Sequence, residues 1–90
     1  MSIEWDSRKA TANLLKHGID FADAATVMDD DRCVTVRDDL STDEDRYITL
    51  GMDALGRVVV VIHTWRGNTV RLISARQATA QERRQYGVRP

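Results

Sequence analysis

The stretch Arg57-Val-Val-Val-Val-Ile-His-Thr-Trp-Arg66 runs into Gly67-Asn68 and returns as Thr69-Val-Arg-Leu-Ile-Ser-Ala-Arg76. Two runs rich in β-branched residues around a Gly-Asn pair read as strand, two-residue turn, strand. With that turn, Arg66 stands opposite Thr69, Thr64 opposite Arg71, His63 opposite Leu72 and Val59 opposite Arg76. Alternation then puts Val58, Val60, Ile62, Thr64 and Arg66 on one face with Thr69, Arg71, Ile73 and Ala75. Val59, Val61, His63 and Trp65 share the other face with Val70, Leu72, Ser74 and Arg76. Both faces are apolar at mid-strand, so helices are expected over both. A one-residue slip would exchange the two sets.

Working outward, the flanking segments carry clear punctuation. Ile3-Glu4-Trp5 is a short apolar entry that suits an edge strand. Asp6 suits an N-cap; Lys9, Asn13 and Lys16 then mark a polar helix face, and Gly18 a C-cap. Asp20 is placed to cap a short second helix with Phe21, Ala24, Ala25 and Met28 on one stripe. Asp29-Asp30-Asp31 breaks it. Three consecutive carboxylates do not converge on one ion, so a solvated turn is expected there and no metal site. Arg32–Arg37 alternates as a strand, 38–45 is a polar connector, and Arg46–Gly51 is the next strand. Thr79 with Glu82 fits a capping box for a last helix ending near Tyr86. The expectation is one domain, residues 1–90, of α+β class: two N-terminal helices, a four-stranded antiparallel meander and a C-terminal helix.

Composition narrows the partners. Met1 to Asp45 holds twelve Asp or Glu against five Lys or Arg, while Arg46 to Pro90 holds two against eight arginines and no lysine. An all-arginine basic half suits planar, bidentate contact with phosphate or carboxylate. Either it forms a basic face for a polyanion, or the two halves pair within the fold. The opening Met-Ser-Ile-Glu-Trp-Asp is charged from its start, unlike a signal sequence, and the longest apolar stretch, Val58–Ile62, is far too short to span a membrane. A cytoplasmic protein without membrane contact is expected. The single cysteine, Cys33, supports neither a disulfide framework nor a zinc site.

Candidate site residues follow from the hairpin. Arg66 and Arg71 form a turn-end pair, Arg57 and Arg76 a far-end pair. Arg66 and Arg71 need a negative group between them, either an RNA phosphate or an internal carboxylate. His63 has the proton affinity for acid–base work near neutrality, yet its apolar neighbours equally suit a packed imidazole. Trp65 can stack a base or cap the core. Lys16 and His17 sit where a helix C-terminus favours cations for structural reasons alone. Arg83, Arg84 and Tyr86 add charge and a hydroxyl on the last helix, where a solvated face is the simpler reading for the two arginines.

These residues also resemble a known family. Glu4-Trp-Asp with Lys9, Asn13, Lys16-His-Gly18, Phe21 and Ala24 is similar to the opening signature of the BrnT toxins. Arg46-Tyr-Ile-Thr-Leu-Gly51, Gly56-Arg57, Thr64-x-Arg66, Arg71-x-Ile-Ser-Ala-Arg76, Ala78, Glu82, Arg83 and Tyr86 continue the pattern over nearly the whole chain. The resemblance implies a type II toxin with a RelE-like fold, a ribonuclease that blocks translation. It implies a BrnA-type antitoxin with a ribbon-helix-helix part, forming a hetero-oligomer that touches DNA only through the antitoxin. It further implies cleavage through the RNA 2′-OH to a 2′,3′-cyclic phosphate, with clustered cations and no metal or other cofactor. Two positions depart from the pattern: Asp45 stands where relatives carry Glu, and His63 where they often carry another aromatic residue. The second departure moves weight from His63 to Arg66, Arg71 and Arg76. Arg66, Arg71, Arg76, His63, His17 and Tyr86 are therefore the expected catalytic set. Lys16, Arg57, Trp65, Arg83 and Arg84 are the expected RNA contacts. A non-catalytic RNA- or ribosome-binding module that inhibits translation is the competing expectation.

Overall fold

The computed structural model describes residues 1–40 and 45–87. In chain order the elements are β1 (Ser2–Glu4), α1 (Ser7–His17), α2 (Phe21–Ala25) running into a 3-10 turn (Thr26–Asp29), β2 (Val34–Arg37), β3 (Tyr47–Met52), β4 (Val58–Arg66), β5 (Thr69–Gln77) and α3 (Ala80–Gly87). Residues 41–44 of the connector expected over 38–45 lie outside the described residues.

The local signals act as their chemistry requires. The Asp6 carboxylate accepts from the N–H groups of Arg8 and Lys9, and Asp20 accepts from Ala22. Gly18 ends α1 in the left-handed region, φ 73°, donating its N–H to Leu14 O. A side chain with a Cβ adopts that conformation only at a cost, which is why glycine ends the helix there. Thr79 and Glu82 form the reciprocal box at the start of α3. Gly67 turns β4 into β5 with φ 61° and Asn68 stays at negative φ, the sign pattern of a II′ hairpin turn.

The expected sheet is corrected. Instead of a four-stranded antiparallel meander between two N-terminal helices and a C-terminal one, there are five strands in the order β1-β5-β4-β3-β2. β1 runs parallel to β5, with Ser2, Ile3 and Glu4 opposite Thr69, Val70 and Arg71, so the sheet is mixed. A three-residue strand has too little sequence to show its period, and its partner lies 67 positions away. The pairing forms because the turn-side half of β5 would otherwise expose its backbone groups along an edge.

The hairpin register departs from strict alternation at one place. Thr64 faces Arg71 and His63 faces Leu72 as expected, but Ile62 faces Ser74, so Ile73 is an extra residue in β5. Beyond this bulge each residue of β5 changes face. Ala75 turns to Val61, and Arg76 stands opposite Val60 instead of Val59.

One face of the sheet carries the core. Ile19, Phe21, Ala24 and Val27 from the helical layer pack on Val59, Val61, Val70, Leu72 and Ala75. Asn13, expected on the polar face of α1, is buried instead. Its side-chain amide donates to Ala75 O (2.8 Å) and Ile19 O (2.9 Å) and accepts from Ala75 N–H (3.0 Å). It thereby substitutes for a neighbouring strand where β1 stops. Over the other face lies α3, tied down by the Tyr86 hydroxyl, which donates to Asp30 Oδ2 (2.6 Å). Asp30 also accepts from the N–H groups of Met52 and Arg32. Burial opposes its ionisation, but these donors outweigh that and hold its pKa below the ordinary carboxylate value. The Asp29–Asp31 turn thus anchors an α-helix to a sheet. Among the described residues no group of three or more His, Cys, Asp or Glu could hold a metal ion.

Candidate nucleic-acid interface

The bulge at Ile73 decides which arginines share a surface. Opposite residues of an antiparallel pair point to the same side, so Arg66, Arg71 and Arg76 all lie on the face with Val60, Ile62 and Thr64. The far-end grouping of Arg57 with Arg76 on the opposite face is therefore corrected. Arg66 is exposed and has no ion-pair or hydrogen-bond partner among the described residues. Arg71 binds the Glu4 carboxylate, which β1 brings directly opposite it. Arg76 grips Glu82 with both terminal guanidinium nitrogens, at 2.8 and 3.1 Å. That contact, with the Thr79 N–H assisting against burial, holds the Glu82 carboxyl at a pKa of about 2. Arg76 correspondingly titrates above its ordinary value.

Along the outer edge of β5, past the end of β1, a hollow of about 290 Å³ opens between strand and helix. It is lined by Lys9, Asn13, Lys16 and His17 of α1 and by Ile73 and Ser74 at the bulge. The side chains of Lys9, Lys16 and His17 have no carboxylate partner among the described residues. Lys16 and His17 occupy the last turn of α1, where the helix dipole favours positive charge. At the other end of α1, the N–H groups of Lys9 and Arg8 lower the Asp6 pKa against desolvation, with the charges of Lys9 and Arg71 adding less. Asp6 therefore feels both α1 and the arginine face at this edge of the sheet.

The remaining predicted site residues lie elsewhere. His63 is buried on the core face; it shares a 2.8 Å hydrogen bond with the Thr49 hydroxyl through Nε2 and stacks on Tyr47, centroids 6.0 Å apart. Its Nδ1 has no hydrogen-bond partner among the described residues, and burial pushes its pKa down. Trp65 is exposed on that same face of β4 near the turn. Arg57 belongs to the β3–β4 turn, where it binds the fully buried Asp53 carboxylate (2.8 Å) and reaches Asp23 (3.4 Å). Tyr86 is committed to Asp30, which raises its pKa. Arg83 donates to Ala78 O behind the start of α3, and Arg84 is exposed on that helix.

The eleven predicted residues thus do not form one cluster. The fold brings Arg66, Arg71 and Arg76 onto one face and Lys16 and His17 to the edge beside it. His63, Trp65, Arg57 and Tyr86 are held apart from both. Lys9 and Ser74 belong to the edge hollow and were not among the predicted set. The seven-residue spacing of Lys9 and Lys16, two turns on one helix side, is the signal that marks Lys9. Ser74 depends on the bulge and leaves no local trace. Chemically, exposed ammonium groups beside the half-buried His17 imidazole can bind a phosphodiester and move a proton next to it, and the exposed Arg66 guanidinium can bind one on the sheet face.

A family model for the ribonuclease toxin BrnT of type II toxin–antitoxin systems matches residues 5–82. Among solved structures, the chain is similar to the crystal structure of the Brucella abortus ribonuclease toxin BrnT, with 29% identity and a TM-score of 0.69. That similarity covers 88% of this chain and 97% of the Brucella one. No curated protein matches the chain.

Proposed function

The chain belongs to the BrnT family of ribonuclease toxins of type II toxin–antitoxin systems, and from that premise we propose that it is a metal-independent endoribonuclease that inhibits translation and is neutralised by a BrnA-type antitoxin. The observation that carries this reading is the bulge at Ile73, which adds Arg76 to the face of Arg66 and Arg71 and lines the Lys9–Lys16–His17 edge of β5. In the proposed reaction the RNA 2′-oxygen attacks the adjacent phosphorus and the bond from phosphorus to the 5′-oxygen breaks. The 2′-OH gives up its proton to a base, and the leaving oxygen takes one from an acid. The products are a 2′,3′-cyclic phosphate and a 5′-OH. Arg66 and Arg71 hold the phosphodiester and offset the charge that develops on it. Arg71 does so by exchanging the Glu4 carboxylate for phosphate, while Arg76, gripped by Glu82, supports the rim. His17 is the proposed proton carrier, because His63 is buried against Thr49 and Tyr86 is engaged by Asp30.

Purified chain, freed of antitoxin and treated with chelator, should cut RNA and leave cyclic phosphate ends. Loss of cleavage on chelation sinks the metal-free mechanism; intact RNA together with arrested translation points to a binder that does not cut. Arg71→Ala should abolish cleavage while moving the thermal midpoint little, because a half-exposed ion pair such as Glu4–Arg71 contributes only about 0–1 kcal/mol.

A further inference from the structure

A second concavity lies on the arginine face, where α3 crosses the sheet. It encloses about 350 Å³ over a floor of Val34, Val36, Ile48, Leu50 and Val60, with Glu82 and Gln85 as its α3 wall. The floor is wholly aliphatic, and Val36 is 53% exposed at its outer side. Apolar surface left open beside an oriented basic face marks a contact site for a partner that carries both chemistries. Arg76 joins the two parts. It stands opposite Val60 in the floor, and its guanidinium is held by Glu82 in the wall. From there Ile62 and Thr64 lead along β4 to the exposed Arg66, beside Arg71.

We propose that this hollow is the docking site of the antitoxin, through a segment that seats aliphatic side chains in the hollow and lays carboxylates along Arg71 and Arg66. The proposal rests on the toxin reading above. Charge complementarity selects the occupant. An acidic, aliphatic segment is attracted by the arginines and desolvates Val36 and its neighbours at the same time. A nucleobase fits poorly, because the hollow offers no aromatic ring for stacking and its Glu82 carboxylate already takes the adjacent guanidinium. A second copy of this chain fits poorly too, since it would bring the same arginine face against its like. Neutralisation then follows from overlap, with the segment occupying the groups that otherwise hold RNA phosphates.

The test uses the full chain and, as probe, the purified product of the reading frame adjacent to this gene. Val36→Glu places a carboxylate at the mouth of the hollow; Val36→Ala trims it; Leu15→Glu places the same charge on the outward side of α1, where Leu15 is 84% exposed. Binding is followed by titration calorimetry, cleavage by an RNA assay without the probe, and folding by circular dichroism. Val36→Glu should weaken the probe at least tenfold, Val36→Ala more mildly, and Leu15→Glu not at all, with free-toxin cleavage preserved in all three. Equal affinity of Val36→Glu and the parent overturns the proposal, as does a loss confined to Leu15→Glu. Reduced RNA cleavage with intact probe binding assigns the hollow to RNA instead. A dimer that Val36→Glu dissociates, again with intact probe binding, assigns it to a second copy. If the parent chain binds the probe but cuts no RNA, the enzymatic reading fails, and the docking site is decided by the variant affinities alone.

Discussion

Single side chains in this protein are constrained by their counter-charges. Glu82 serves three donors: both terminal nitrogens of Arg76 and the Thr79 N–H. Its folded-state pKa of about 2 lies below the ordinary value of 4.5. A carboxyl depressed by folding contributes stability above its unfolded pKa and loses that contribution as pH falls through the folded one. Glu82→Gln should therefore lower stability by about 1–2 kcal/mol near neutral pH, from a charged hydrogen bond and a helix cap. The gap between variant and parent should close as pH drops from 4.5 toward 2, as urea melts across that range can show. His63 also loses stability on acidification, but because folding favours its neutral form. Its burial disfavours the imidazolium, so the unfolded chain takes up its proton first and acidification below about 6.5 destabilises the fold.

At the scale of elements, two contacts replace what regular structure would supply. Asn13 satisfies both backbone groups of Ala75 where β5 has no neighbouring strand. Asn13→Ala would leave those groups and Ile19 O buried without partners. A loss of about 2–4 kcal/mol is expected, from roughly 1–3 kcal/mol per orphaned group with partial relaxation. It should appear as a lower urea midpoint at unchanged m-value. The second contact is the close approach of β3 to the 3-10 turn. A Cβ on Gly51 would stand 2.8 Å from Cys33 Cβ and 2.9 Å from Val27 Cγ1. Gly51→Ala should accordingly cost about 1–3 kcal/mol through overpacking, readable in the same melts. The bulge at Ile73 is the third decisive element. By changing the face of Ala75 and Arg76 it puts an alanine in the core and an arginine on the face of Arg66 and Arg71.

Across the whole molecule, the acidic first half and basic second half meet in part. Glu4 binds Arg71 and Asp23 reaches Arg57, whereas Arg66, Lys9 and Lys16 have no such partner among the described residues. Pairing between the halves is therefore seen at Glu4–Arg71 and Asp23–Arg57, while a basic face for a polyanion belongs to the proposed function. On the proposed reading these cations make RNA affinity a steep function of salt, since each phosphate contact adds about −0.7 to the slope of log K against log salt for single strands. Arg66→Ala should reduce that slope by about one contact, measured by fluorescence anisotropy at several salt concentrations. An unchanged slope would remove Arg66 from the interface.

What the chain's sequence determined by itself is local. Gly67-Asn68 closes the hairpin, Asp6, Asp20 and Gly18 bound their helices, and Thr79 with Glu82 starts α3, because each such signal is satisfied within a few residues. The family signature over residues 5–82 is likewise written in residue order. Tertiary structure alone decided the parallel pairing of β1, the burial of Asn13, the bulge at Ile73 and the separation of His63 from the arginines. The pairing of β1, the burial of Asn13 and the seat of His63 depend on groups 14 to 67 positions apart finding hydrogen-bond partners, and the bulge on how β4 and β5 pair along their length. No local periodicity encodes which distant backbone lacks a partner. That deficit, met by β1 and Asn13 along β5, shapes the edge on which the proposed chemistry depends.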